Sequence, residues 1–161
     1  MDNEEMTLFR DMTRRALEHE IAPHIETWEE QHIVPRSLWN KLGEAGLLCP
    51  DLPEAYGAAE TSPQVTFSVI EELSHMGFGG IATGYSIHSN IVAPYIEHFG
   101  TEEQKQQWLH KMVAGEALGE AGVAFAGAAP YELTVVRTVA EALDHLAAGG
   151  LDLVLLDLSL P

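Results

Sequence analysis

Positive charge is what this chain most lacks. Its 161 residues hold 8 Lys and Arg against 25 Asp and Glu, a formal net charge of -17. So acidic a surface repels DNA, RNA and anionic lipid, and neither a nucleic-acid nor a membrane partner is expected. Cysteine is almost missing: Cys49 is the only one, which excludes an intrachain disulfide and suits a reducing, cytoplasmic setting. It has no basic neighbour to lower its pKa, so a buried or loop thiol is expected rather than a nucleophile. No apolar run approaches the ~18 residues that span a bilayer. The N-terminus, Met1-Asp-Asn-Glu-Glu, is the opposite of a secretory or transit signal.

Several chemical signatures are missing as well. Gly77-Phe-Gly-Gly80 lacks the lysine and spacing of a phosphate loop. Eight histidines invite a metal hypothesis, but His19 and His24 are five apart, about 140° around a helix, a poor geometry for joint ligation. No metal site is expected. Glu71-Glu72 reads as a polar helix face rather than a paired-carboxylate site.

What is present is helical text. Phe9, Met12, Ala16, Leu17, Ile21, Ile25 and Trp28 recur at three- and four-residue steps, one face of a long helix. Pro23 lies inside that stripe and predicts a kink or a restart. Pro35 opens a second helix from Arg36 to about Ala45, burying Leu38, Trp39 and Leu42 and stopping at Gly46. Cys49-Pro50, Leu52-Pro53 and Tyr56-Gly57 mark 47–61 as a connecting loop. Ser62-Pro63 starts a helix that runs to Gly77. The next, Gly79 to His98, is apolar on nearly all sides and is expected to be central and most buried, with a bend at Pro94. Thr101-Glu-Glu-Gln104 is a capping box opening a last helix over Trp108, Leu109 and Met112, ending by Gly115.

The segments "IAPHIETWEEQHIVPRSLWNKLGEAGLL", "PEAYGAAE" and "HSNIVAPYIEHFGTEEQKQQWLHKMVAGE" resemble the N-terminal helical domain of the acyl-CoA dehydrogenases, over about residues 5–119. That family oxidises the α,β carbon–carbon bond of acyl-CoA thioesters and passes a hydride to FAD. The resemblance implies acyl-CoA as partner, and Thr83, Ser86, Ile87 and Asn90, at helical spacing on one face of the central helix, match positions that line the acyl-chain pocket. After Gly115-Glu116 the chain departs from the family's flavin-contacting segment. The β-domain, the C-terminal bundle and its catalytic glutamate have no counterpart here, so no catalytic residue is assigned. FAD is implied by the family but not expected to be held by this chain.

The text changes character near residue 119. Residues 120–130 are small and glycine-containing, a junction. Leu133–Val136 is β-rich, Thr138-Val-Ala-Glu141 caps a helix that stops at Gly149-Gly150, and Leu151–Leu156 reads as a buried parallel strand. "YELTVVRTVAEALDHLAAGGLDLVLLDLSLP" resembles part of a response-regulator receiver domain, which places Asp157 at the phosphoryl-acceptor position. Mg²⁺ is implied by that resemblance and not expected to bind, because the acidic pair and lysine that hold it have no counterpart.

The expected architecture is mostly α. It comprises a five-helix acyl-CoA-dehydrogenase-like domain over 1–119, a junction over 120–130 and a partial receiver-like βαβ unit over 131–161. Three functional readings stand: an acyl-CoA dehydrogenase by descent that contributes acyl-pocket surface but is catalytically incomplete; a partial receiver; or a joining of two fragments. The helical face that would meet the β-domain is expected to stay apolar and promote self-association.

Overall fold

The computed structural model describes residues 3–118, Asn3 by its backbone alone. The junction, the βαβ unit of 131–161 and Asp157 lie outside the described residues. Among those described, every regular element is helical.

Helix α1 spans Asn3–Glu20. Its inner line is Phe9, Thr13, Leu17 and Ile21, four residues apart, with the last three fully buried. Met12, expected inside, is instead 50% exposed, and Thr13 takes the inward position beside it. The two choices differ by one 100° step, and the fixed azimuths of Leu17 and Ile21 decide between them. At Pro23 the helix restarts rather than kinks: His24 N–H turns back to the Ile21 carbonyl at 2.9 Å, and α2 runs Ile25–Gln31. Ile25 and Trp28 keep the stripe's phase and pack, half-buried, on the core.

Helix α3, Arg36–Glu44, buries Leu38, Trp39 and Leu42 as its spacing requires. Residues 47–61 follow without a strand, containing only a short 3₁₀ turn at Glu54–Tyr56. Residues 47–50, Leu52 and Tyr56 of this loop are buried, and part of its backbone is paired within it: Thr61 donates from its backbone and its hydroxyl to the Pro50 carbonyl at 3.0 and 2.9 Å. Helix α4, Pro63–His75, starts with proline at its first position after Ser62. Ser62 makes no side-chain cap bond. Gly77 ends α4 with φ 82°, in the left-handed region that glycine enters without steric cost.

Helix α4 carries a departure from expectation. Glu71 lies at the surface, but Glu72 is 2% exposed. Its carboxylate meets Arg14 at 2.9 Å and Arg10 at 3.4 Å, while Arg10 also pairs with Glu71. The doublet therefore clamps α1 to α4, which pack together.

The central helix is continuous but not uniform. Helix α5, Gly79–Ser86, runs into a π turn over Ile87–Val92 and then α6, Ala93–Phe99. Pro94 explains the turn. It has no N–H, and in α register its ring would strike the Asn90 carbonyl; widening the preceding turn to five-residue hydrogen bonds relieves the contact. Ala93 N–H accordingly reaches the His88 carbonyl. The helix is buried on one side only, since Ile91 is 50% and Phe99 74% exposed. Its inner side feeds two clusters. Ile81, Ala82 and Tyr85 join α1, α3, α4, Leu47 and Leu48 in the first, and Val92, Ala93 and Ile96 join Cys49, Leu52 and Tyr56 of the loop and α7 in the second. The π turn sits where the helix passes from one to the other.

Helix α7, Glu102–Val113, opens on the full capping box: Gln104 N–H donates to Thr101 Oγ1 at 3.3 Å, and Thr101 N–H to Gln104 Oε1 at 2.8 Å. Its far end returns to α3 by backbone contact. A Cβ on Gly43 would lie 2.5 Å from the Ala114 carbonyl carbon, and one on Gly115 would lie 2.2 Å from the Trp39 carbonyl oxygen.

Candidate functional site on the central helix

Thr83, Ser86, Ile87 and Asn90 follow one another at helical spacing along the central helix; none is fully buried, and Ile87 rests against the second cluster. Thr83 is exposed and the other three are half-buried. The Thr83 hydroxyl donates to the Gly79 carbonyl at 3.0 Å, which leaves its methyl as the group free to meet a ligand. Below Thr83 the face begins with bare backbone, because Gly79 and Gly80 have open space where a Cβ would stand.

The opposite side fixes this face in place. Tyr85 donates its hydroxyl to the Leu47 carbonyl at 2.6 Å. One turn on, Ser89 Oγ accepts from the Cys49 backbone N–H at 3.2 Å, with the Cys49 thiol 3.7 Å away. His88 donates from Nε2 to the Met112 carbonyl at 3.1 Å, its ring beside Trp39. Three buried side chains within five residues thus tie the helix to the loop and to α7. Cys49 itself adopts φ 47°, which points its N–H at Ser89.

Burial sets the protonation of these anchors. It pushes the Cys49 thiol up to about 12, so no thiolate is present and the sulfur is not a nucleophile. It raises the Tyr85 hydroxyl and lowers His88 to about 4, with Arg36 adding to the His88 shift and the Met112 bond opposing it. All three are neutral at pH 7. None of the four face residues has a titratable side chain, so they supply no acid or base.

Elsewhere, an open cleft of about 240 Å³ lies between the α1–α2 turn and α3, lined by Glu20, His24, Trp28 and Lys41 among others. The Glu20–Lys41 ion pair crosses it, and none of the four face residues borders it. Among the described residues no three His, Cys, Asp or Glu side chains gather in a metal-binding arrangement. No described helix is long and apolar enough to cross a membrane.

What ties this helix to the loop and to α7 was not read from the sequence. Tyr85 and Ser89 carried only a helical-spacing signal, and their loop partners lie about 40 residues away.

The family model for the acyl-CoA dehydrogenase N-terminal domain matches residues 3–116. Mitochondrial long-chain specific acyl-CoA dehydrogenase of Rattus norvegicus is 36% identical over 137 residues, covering 85% of this chain and 31% of its own. That match therefore runs beyond residue 119. The (2S)-methylsuccinyl-CoA dehydrogenase of Cereibacter sphaeroides is 34% identical over 119 residues, 72% of this chain and 21% of its own. Among solved structures, an acyl-CoA dehydrogenase from Geobacillus kaustophilus superposes with a TM-score of 0.69 at 43% identity, over 73% of this chain and 30% of that one. A glutaryl-CoA dehydrogenase from Mycobacterium smegmatis in complex with FADH2 gives 0.67 at 27% identity, with the same coverage. The chain spans less than a third of the length of these relatives. The receiver resemblance, with its Asp157 and Mg²⁺, gains no support from these matches, and neither does a fusion.

Proposed function

The chain belongs to the acyl-CoA dehydrogenase family, matching its N-terminal domain, and from that premise we propose that it supplies acyl-chain surface for FAD-dependent α,β-oxidation of an acyl-CoA thioester. The surface is the Thr83, Ser86, Ile87 and Asn90 face. One observation carries the proposal: Thr83 is exposed and Ser86, Ile87 and Asn90 keep part of their surface open, with Ile87 resting its inner side on the second cluster, while the residues between them, Tyr85, His88 and Ser89, are buried and hydrogen-bonded. A helix held so firmly from behind presents a pre-organised wall, which lowers the ordering cost of binding a flexible chain. Methyl and methylene groups on such a wall contribute about 0.8 kcal/mol for each CH₂ taken from water.

The described residues do not by themselves fit FAD. Its pyrophosphate needs unengaged cations or a cradle of backbone N–H groups. Arg10 and Arg14 are committed to Glu71 and Glu72, Lys41 to Glu20, Lys105 to Glu102, and Arg36 to the Glu116 carbonyl. The other described cations, Arg15 on α1 and Lys111 on α7, are single exposed side chains on different helices and do not form a cradle. No step of the oxidation is assigned to residues 3–118. Their role in this proposal is binding and orientation.

Self-association is part of the same proposal. Leu8, Met12, Phe67 and Phe99 are each at least half exposed, and apolar area left in water favours contact between copies. Sedimentation at rising concentration tests it, and a strict monomer would count against it.

Equilibrium dialysis against octanoyl-CoA tests the acyl surface. The parent chain is expected to retain the thioester, and an Asn90→Trp variant, whose ring covers the face, is expected to lose most of that retention. Equal retention by both, or none by the parent, would refute the assignment.

A further inference from the structure

Ile91 is absent from the face that the family resemblance supplies, yet it is 50% exposed on the same helix. In an uninterrupted α-helix it would stand about 80° around from Thr83 and about 40° from Ile87. The helix is not uninterrupted there. A π turn takes up one residue more than an α turn, so side chains beyond it lag by roughly one 100° step. Ile91 is the fifth of the six residues in Ile87–Val92, and the five-residue bond from Ala93 to His88 closes that turn. Most of the lag has accumulated by Ile91, which carries its side chain back toward the line of Thr83 and Ile87.

The chemistry of the face is graded along the axis. Its beginning is bare backbone and hydroxyl, at Gly79, Gly80, Thr83 and Ser86; its far end is aliphatic, at Ile87 and Ile91, with Asn90 beside them. Thr83 and Ile91 are separated by about 12 Å of helix axis at 1.5 Å per residue. A chain with one polar and one hydrocarbon end fits this gradient in one direction, thioester toward Thr83 and terminal methyl toward Ile91.

We propose that Ile91, brought onto the acyl face by the π turn before Pro94, is a specificity-determining residue that contacts only the distal part of a long acyl chain. This rests on the acyl-surface reading above. It adds a direction for the chain and a residue that discriminates by length. Short acyl groups end before reaching Ile91 and are indifferent to it.

The test compares dissociation constants of butanoyl-CoA and dodecanoyl-CoA for the full chain and for Ile91→Ala, with Leu8→Ala as control. Ile91 is half exposed and Leu8 is 69% exposed, so both variants should keep the parent fold, which circular dichroism verifies. Ile91→Ala is expected to weaken dodecanoyl-CoA about tenfold while changing butanoyl-CoA less than about twofold. Leu8→Ala is expected to change neither. An equal effect of Ile91→Ala on both lengths, or no effect on either, overturns the inference and leaves the acyl surface standing. The same loss in Leu8→Ala would mean non-specific adsorption and overturns it too. A parent chain that binds neither thioester refutes the acyl surface itself, and the inference falls with it.

Discussion

His88 donates from Nε2 to the carbonyl oxygen of Met112 at 3.1 Å, in a position only 1% exposed. The bond joins the middle of the central helix to the last turn of α7. Because the carbonyl can only accept, Nε2 must carry the proton, which fixes the tautomer.

Burial holds this imidazole near 4 in the folded chain, below its ordinary value of 6.5. Between those values the unfolded chain binds the extra proton and the folded chain does not. The contribution is therefore whole above about 6.5 and is lost as pH falls toward and through 4, to a total on the order of 3 kcal/mol. Urea midpoints should drop between pH 7.5 and 5.5, and His88→Phe should flatten that slope. A parent slope no steeper than that of the variant would disprove the account.

The clamp between α1 and α4 predicts an asymmetry. Glu72 is 2% exposed while the Arg10 and Arg14 side chains are 35% and 48% exposed. Removing the arginines strands a buried carboxylate, whereas removing the carboxylate leaves cations that water can reach. The double variant Arg10→Met/Arg14→Met should lose about 3 kcal/mol or more, and Glu72→Gln about 1–2. Denaturant unfolding decides it; the reverse order would contradict the clamp.

Thr13 is fully buried, and its hydroxyl has no partner among the described residues. Thr13→Val keeps the shape and removes an unsatisfied polar group, so it should stabilise by about 1 kcal/mol. A loss of stability would show that the hydroxyl is satisfied.

Gly43 and Gly80 should respond in opposite directions to alanine. At Gly43 a Cβ meets the Ala114 backbone at 2.5 Å, which cannot yield without moving the end of α7, whereas at Gly80 it meets nothing. Gly43→Ala is expected to cost about 3 kcal/mol, and Gly80→Ala to gain about 0.5–1 through lower unfolded-state entropy. Thermal midpoints moving in the same direction would contradict the packing.

Local chemistry was the legible part of this chain. The Thr101/Gln104 box, the proline starts, the break at Pro23 and the strandless 47–61 loop all depend on neighbours within five residues, and all stand in the structure. What stayed hidden depends on distant partners. Glu72 looks like surface until Arg10 and Arg14, about 60 residues away, neutralise it. Met12 is the more apolar neighbour of Thr13, yet Leu17 and Ile21 set the azimuth and turn it outward. Pro94 signalled a bend, but the sequence alone did not reveal that the helix would absorb it as a π turn. The contacts that Tyr85, His88 and Ser89 make with residues 24 to 40 positions away were not legible either.

The most direct test of the acyl surface is amide chemical-shift mapping of the ¹⁵N-labelled chain titrated with octanoyl-CoA. The account predicts saturable shifts concentrated at Thr83, Ser86, Ile87 and Asn90, with the cleft residues Glu20, His24 and Lys41 unmoved. Shifts centred on that cleft, or none above the effect of coenzyme A alone, would contradict it.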